Sequence, residues 1–260
     1  MRKTLLVLGG SMTTAWSAVG KGFYDNIGVH PKITCWHAQA WRHKVNAPPY
    51  SIRDGALHFH DVTNNSVFFG EEDRHHPALG STESISLNDV SGIVFTQPTT
   101  ERGYLLELFK SNFFVHSRMP QEQFRDDRAL SSNPLSREVY YVWWLSHQYH
   151  VSRFLEELTE GYPAIPVFIT PEVLPRQDQR GYSREFREYY LMMMEVLMEV
   201  LRRKFPVLGC PQPVQTYVRA TLATKTAFAV PPPDPHHYSP EYVRAIADTN
   251  DFRGFLTRMR

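Results

Sequence analysis

The stretch Thr4-Leu5-Leu6-Val7-Leu8-Gly9-Gly10-Ser11 decides the fold class. A compact apolar run that stops at two glycines reads as a buried strand ended by a tight turn, because a strand covered on both faces shows no polar alternation. A helix is expected next, from about Thr13 to Val19, with Gly20 and Gly22 near its end. The same rhythm of short apolar run and helix-length segment continues down the chain. Ile33 to Trp36, Val90 to Thr96, Ile165 to Thr170 and Phe205 to Leu208 are the further strand candidates, and Pro166 falls at a strand start, where a missing donor matters least. Arg137 to Leu158 carries Val139, Val142, Trp143, Ser146, Tyr149 and Phe154 at helical spacing. Ser183 to Lys204 is the cleanest amphipathic helix, with Phe186, Tyr190, Met193, Leu197 and Leu201 on one stripe. The run Met192-Met193-Met194 lies inside it and reads as core packing. Ser239-Pro240-Glu241 opens a last helix, serine at the N-cap and proline at the first helical position.

Strands separated by helix-length segments predict an α/β fold. The expected architecture is three-layer and doubly wound, with a mostly parallel sheet of about five strands in the flavodoxin-like order 2-1-3-4-5 and functional loops at the carboxyl ends of its strands. Residues 1–260 read as a single domain with loop insertions around 43–88 and 113–135. The first insertion is rich in Pro, Asn, His and charge, with hairpin strands expected at Ala56 to His60 and Ser66 to Phe69; the second is polar and irregular. Substrate selection commonly resides in such segments.

The formal net charge is +1, which calls for neither nucleic acid nor an anionic membrane as partner. No stretch approaches the ~18 apolar residues of a membrane span. The apolar run after Met1-Arg2-Lys3 is too short for a secretory signal, so a soluble, cytoplasmic protein is expected. Cys35 and Cys210 follow no metal or redox spacing and read as small buried apolar residues. Gly-x-Gly-x-x-Gly is absent, and no organic cofactor is implied. His58 and His60 flank Phe59 and, on a strand, would face the same way beside Asp61; the spacing is not specific to a metal, and they read as polar loop histidines. Arg102 and Arg176 each follow a strand end and could bind a substrate carboxylate or phosphate, although exposed surface arginine is the plainer expectation. The aromatic content, 13% with Trp36, Trp41, Trp143 and Trp144, suits a sugar-stacking cleft and an ordinary core equally.

Two constellations carry chemistry. Ser11 stands at a strand-to-helix turn, where it would be presented at the carboxyl edge of the sheet. Pro231-Pro232-Pro233-Asp234-Pro235-His236-His237 is a stiff segment leading into the final helix. Serine needs an adjacent imidazole base, itself oriented by an acceptor on its other nitrogen, and an aspartate three residues before a histidine supplies both from one segment.

Together these pieces resemble the SGNH (GDSL-type) hydrolase superfamily, in which a Gly-Asp-Ser-like block follows the first strand and an Asp-x-x-His block precedes the last helix. The matching stretches are Gly9-Gly10-Ser11 and Asp234-Pro235-His236-His237, continued by Tyr238-Ser239-Pro240-Glu241-Tyr242. A looser similarity to the GSCFA branch lies in Val167 to Pro171 and in the helix ending Lys204-Phe205-Pro206. The resemblance implies a Ser-His-Asp triad of Ser11 as nucleophile, His237 as general base and Asp234 as its orienting partner, with His236 competing for the base. It also implies an ester hydrolase or O-acyltransferase that needs no metal. Its substrate would be an O-acyl, chiefly O-acetyl, ester of a carbohydrate such as a polysaccharide, or of a small metabolite. The family's second block offers a glycine N–H and its third an asparagine to the oxyanion. Here those places read Cys35-Trp36-His37-Ala38-Gln39 and Thr96-Gln97-Pro98-Thr99-Thr100-Glu101, with neither residue present. The oxyanion or substrate contacts then fall to Gly10, Gln97, Thr99 or His236, or to the Ser11 N–H; one such donor is worth about 2.7–4 kcal/mol in the transition state. The missing residues also motivate the alternative of a catalytically degraded member that binds a glycan or a protein partner.

Overall fold

A computed structural model describes residues 2–10, 12–35, 47–59, 84–96, 102–115, 133–170, 173–176, 182–209, 212–229 and 238–259. The first apolar run forms β1 (Lys3–Gly9), followed by α1 (Thr13–Ala18), α2 (Lys21–Asn26) and β2 (Val29–Cys35). The first insertion supplies β3 (Tyr50–Arg53), β4 (Ala56–Phe59) and β5 (Ser84–Ser86). Then come β6 (Gly92–Thr96), α3 (Arg102–Lys110), β7 (Phe113–Val115), β8 (Asn133–Leu135), α4 (Arg137–His147), α5 (Tyr149–Gly161) and β9 (Val167–Thr170). The chain ends with α6 (Arg184–Lys204), β10 (Val207–Gly209), β11 (Tyr217–Val218), β12 (Ala223–Thr224), α7 (Pro240–Ala247) and α8 (Asn250–Arg258).

The main sheet has five strands in the spatial order β10-β9-β6-β1-β2, every pair parallel. Numbered by chain order among themselves, these strands stand 2-1-3-4-5, the order expected from the sequence. Both faces are covered. Leu6, Leu8, Ile93, Phe95, Val167 and Ile169 pack with Leu105 of α3, Trp144 of α4, Phe154 of α5 and Leu197 of α6. The alternate residues Leu5, Val7, Ile33, Val94 and Phe168 pack with Trp16 of α1, Tyr24 of α2, Tyr242 and Ile246 of α7, and Phe252 and Phe255 of α8. This is the strand period of two expressed in three dimensions, and it explains why β6 and β9 are buried along their whole length.

Several local expectations need correction. The helix foreseen over Arg137 to Leu158 is two helices, α4 and α5, broken at Gln148, whose φ of −128° and ψ of 41° are not helical. The stripe assigned to it is also wrong in α4: Val139 and Val142 are 53% and 63% exposed, while Tyr140, Tyr141 and Trp144 are buried. Aromatic side chains remove more apolar area from water, so the rotation that buries them wins. Ser239 sits at the α7 N-cap without a side-chain cap bond; its hydroxyl donates to the Ala227 carbonyl instead, at 2.6 Å. The insertion around 43–88 contributes a three-stranded antiparallel sheet, β3-β4-β5, whereas the strand expected at Ser66 to Phe69 lies outside the described residues. At the two ends of the second insertion β7 and β8 pair in parallel. α6 matches its expectation, with all five stripe residues buried and Ser183 accepting from the Phe186 N–H. Among the described residues no helix is long and apolar enough to cross a membrane.

Candidate active site

The carboxyl edge of the main sheet is built from the ends of β1, β6 and β9. Gly9, Thr96 and Thr170 stand in one register row across these three strands. Gly9 has φ = 145°, a conformation that disfavours side chains, and a methyl group placed on it would collide with the Thr96 carbonyl oxygen and Oγ1. Glycine is therefore required so that β6 can close against the turn leading to Ser11. The next residue, Gly10, is buried, and its carbonyl accepts from both the N–H and the hydroxyl of Thr13 at 3.0 Å. These two bonds fix the turn that joins β1 to α1.

The opposite end of the chain comes to the same place. Ala229 and Tyr238 form an antiparallel bridge, and Ser239 donates its N–H to the Phe228 carbonyl at 3.1 Å. The two residues flanking the 230–237 stretch are thus pinned together. Tyr238, the residue after His237, is 1% exposed, and its hydroxyl accepts from the Trp16 indole N–H at 3.1 Å. Trp16 is held in turn by Tyr24, whose hydroxyl donates to the Trp16 carbonyl. Burial, and then the neighbouring Tyr238, push the Tyr24 phenol well above its ordinary range, so it stays a neutral donor. The element after Ser11 and the element after His237 share one buried hydrogen bond across 222 residues of sequence.

Gly10 lies in the turn between β1 and α1. Ser11, Gln97, Thr99, Asp234, His236 and His237 lie outside the described residues, as do Trp36, Trp41, His60 and Cys210. Arg102 and Arg176 are not surface residues: they are 2% and 8% exposed. Arg102 opens α3 with its guanidinium over the Tyr182 ring, 5.8 Å from the centroid. Arg176 is held from the other side by Arg187, which donates from Nε to the Pro175 carbonyl at 3.2 Å and from Nη2 to the Arg176 carbonyl at 2.9 Å. Among the described residues no group of three His, Cys, Asp or Glu side chains is gathered as for a metal ion.

Beside Arg176 lies a fully paired polar network. Gln212, 5% exposed, accepts from the Leu174 N–H at 2.6 Å and donates to the hydroxyls of Thr216 and Thr224 at 3.0 and 3.1 Å. Thr216 and Thr224 pass their protons to the carbonyls of Pro213 and Leu174. This ties the segment after β9 to the segment that leads into 230–237.

Thr96 and Thr170 escaped the reading of the sequence. They are 1% and 0% exposed, and each side-chain oxygen is buried with no hydrogen-bond partner. The signal was present: Val-Phe-Thr and Phe-Ile-Thr each close an apolar strand with a hydroxyl at the same level. An unpaired buried hydroxyl costs about 1–3 kcal/mol, and these two stand side by side at the carboxyl edge of the sheet.

No protein-family model matches the sequence, and no curated protein matches it. Among solved structures, the fold is similar to the crystal structure of a candidate acylhydrolase from Bacteroides fragilis, with 10% sequence identity and a TM-score of 0.44, over 98% of this chain and 87% of that one.

Proposed function

We propose that this protein is an SGNH-type serine ester hydrolase or O-acyltransferase, its site lying at the carboxyl edge of the main sheet and joining Ser11 to Asp234 and His237. The observation that carries this reading is the Trp16–Tyr238 hydrogen bond, which holds together the helix following Ser11 and the residue following His237. In a doubly wound sheet, ligands bind outside the carboxyl ends of the strands, where β1 meets β6 and the crossover direction reverses. That Ser11 follows the end of β1 by two residues supports this reading.

In the proposed reaction His237 takes the Ser11 hydroxyl proton as the oxygen attacks the acyl carbon. The tetrahedral intermediate collapses, the ester C–O bond breaks, and His237 returns the proton to the leaving alcohol. Water or a sugar hydroxyl then attacks the acyl-enzyme, gives its proton to His237, and frees Ser11 as the proton returns to it. Asp234 holds the imidazole in the tautomer that this requires and stabilises its charged form. Gly10, Gln97, Thr99 and His236 are the proposed contacts for the oxyanion or the substrate. The substrate class is an O-acetyl or similar short ester of a carbohydrate or small metabolite.

Hydrolysis of p-nitrophenyl acetate by wild type and Ser11→Ala tests the reading. Turnover that falls by at least about 10³-fold in the variant, at unchanged melting temperature, supports it. Equal turnover removes Ser11 from the mechanism. The family glycine and asparagine missing after β2 and β6 favour one second reading, a non-catalytic glycan- or protein-binding member, which requires no turnover by wild type at all.

A further inference from the structure

We propose that the hydroxyls of Thr96 and Thr170 are a ligand-binding pair that takes the acyl carbonyl oxygen of the substrate; this rests on the reading that the carboxyl edge is the active site. Thr96 closes β6 and Thr170 closes β9, and the two are register partners on adjacent parallel strands. Val94 and Phe168, two residues earlier, face the layer of α1, α7 and α8, so the period of two turns both threonines to that same face. It is the face on which Met12, Trp16 and Tyr238 lie, between the turn of Ser11 and the residue after His237.

Three observations point to a ligand rather than to the fold. Neither side-chain oxygen has a partner, although both are buried. Natural cores pair such groups, and exceptions concentrate where a protein binds or reacts. Next, the two residues are register partners on adjacent parallel strands, which lie ~4.8 Å apart. Last, Gly9 completes the row, and the space a side chain would take there belongs to the Thr96 hydroxyl.

The test compares Thr96→Val, Thr170→Val and Thr96→Ser with wild type. It uses p-nitrophenyl acetate as probe, its binding followed by saturation-transfer NMR and its hydrolysis by kcat and KM. Each valine exchanges an unpaired hydroxyl for a methyl of the same shape, so both variants are expected to melt no lower than wild type. KM is expected to rise about 3- to 10-fold in each, the range of one neutral hydrogen bond, and kcat to fall as well, because the same oxygen gains charge in the tetrahedral intermediate; Thr96→Ser should restore both to within about 2-fold. Ser11→Ala separates the two readings. It should abolish turnover yet keep the NMR signal, and adding Thr96→Val should weaken binding of the probe about 3- to 10-fold in a titration followed by that signal. Turnover surviving in Ser11→Ala refutes the nucleophile and leaves the hydroxyl pair to stand on KM and the NMR signal. Valine variants that bind and turn over as wild type does overturn the pair. So does a melting temperature lowered by several degrees at unchanged KM, which would assign the hydroxyls to the fold. Absence of both binding and turnover in wild type overturns it as well.

Discussion

Two groups of buried threonines lie near the carboxyl end of the sheet, and they differ in one respect. Thr216 and Thr224 each donate one hydrogen bond and accept one, through the carbonyls of Pro213 and Leu174 and the Gln212 amide. Thr96 and Thr170, equally buried, have none engaged. The same residue type at the same depth thus serves two ends. A satisfied network fixes where the chain goes, here binding the segment after β9 to the segment before 230–237. An unsatisfied pair destabilises the free protein and leaves hydrogen-bonding capacity for something that arrives later. Accounting for partners, rather than burial or residue type, tells the two apart.

The contrast breaks most easily on the satisfied side. Gln212→Leu leaves the Leu174 N–H without its acceptor and the oxygens of Thr216 and Thr224 without their donor in a dry environment. We expect a loss on the order of 3 kcal/mol, seen as a fall of roughly 5–10 °C in melting temperature. An unchanged melting temperature would show that the network does not hold the fold and would dissolve the comparison. The threonine-to-valine exchanges on the unsatisfied side should do the reverse, leaving stability intact while raising KM.

A smaller effect sharpens the comparison at the junction of the chain ends. Tyr238→Phe removes the acceptor for the Trp16 indole N–H but keeps the ring that packs on Tyr242, 4.7 Å away between centroids. The expected cost is about 1 kcal/mol by urea denaturation. Activity should fall more than stability does, because the segment carrying His237 loses its tie to α1. A variant equally stable and equally active would show that the bond does not align the two segments.

The sheet was legible from the sequence and parts of its surroundings were not, for physical reasons. Leu5 to Leu8, Val90 to Thr96 and Ile165 to Thr170 are short apolar runs separated by helix-length segments, the pattern of a doubly covered parallel sheet, and right-handed crossovers then suggested the strand order. The break at Gln148 was hidden because Leu145 through Val151 contains no glycine or proline. The α4 face was misread because two stripes were available, and the choice between them depends on which one meets α6, a tertiary fact. Arg102 and Arg176 read as solvated because charge favours the surface; the Tyr182 ring under the Arg102 guanidinium is distant in sequence. The triad candidates came from motif order alone, and motif order carries no information about which hydroxyls a fold leaves unpaired.

The claim on which everything turns is that a serine from one chain end and a histidine from the other act as a unit. Labelling with a fluorophosphonate, mapped by peptide mass spectrometry across wild type, His236→Asn and His237→Asn, tests it directly. The account predicts label on Ser11 in wild type, retained in His236→Asn and reduced at least about 100-fold in rate in His237→Asn. Label on another residue, or on Ser11 at a rate indifferent to both histidines, would contradict it.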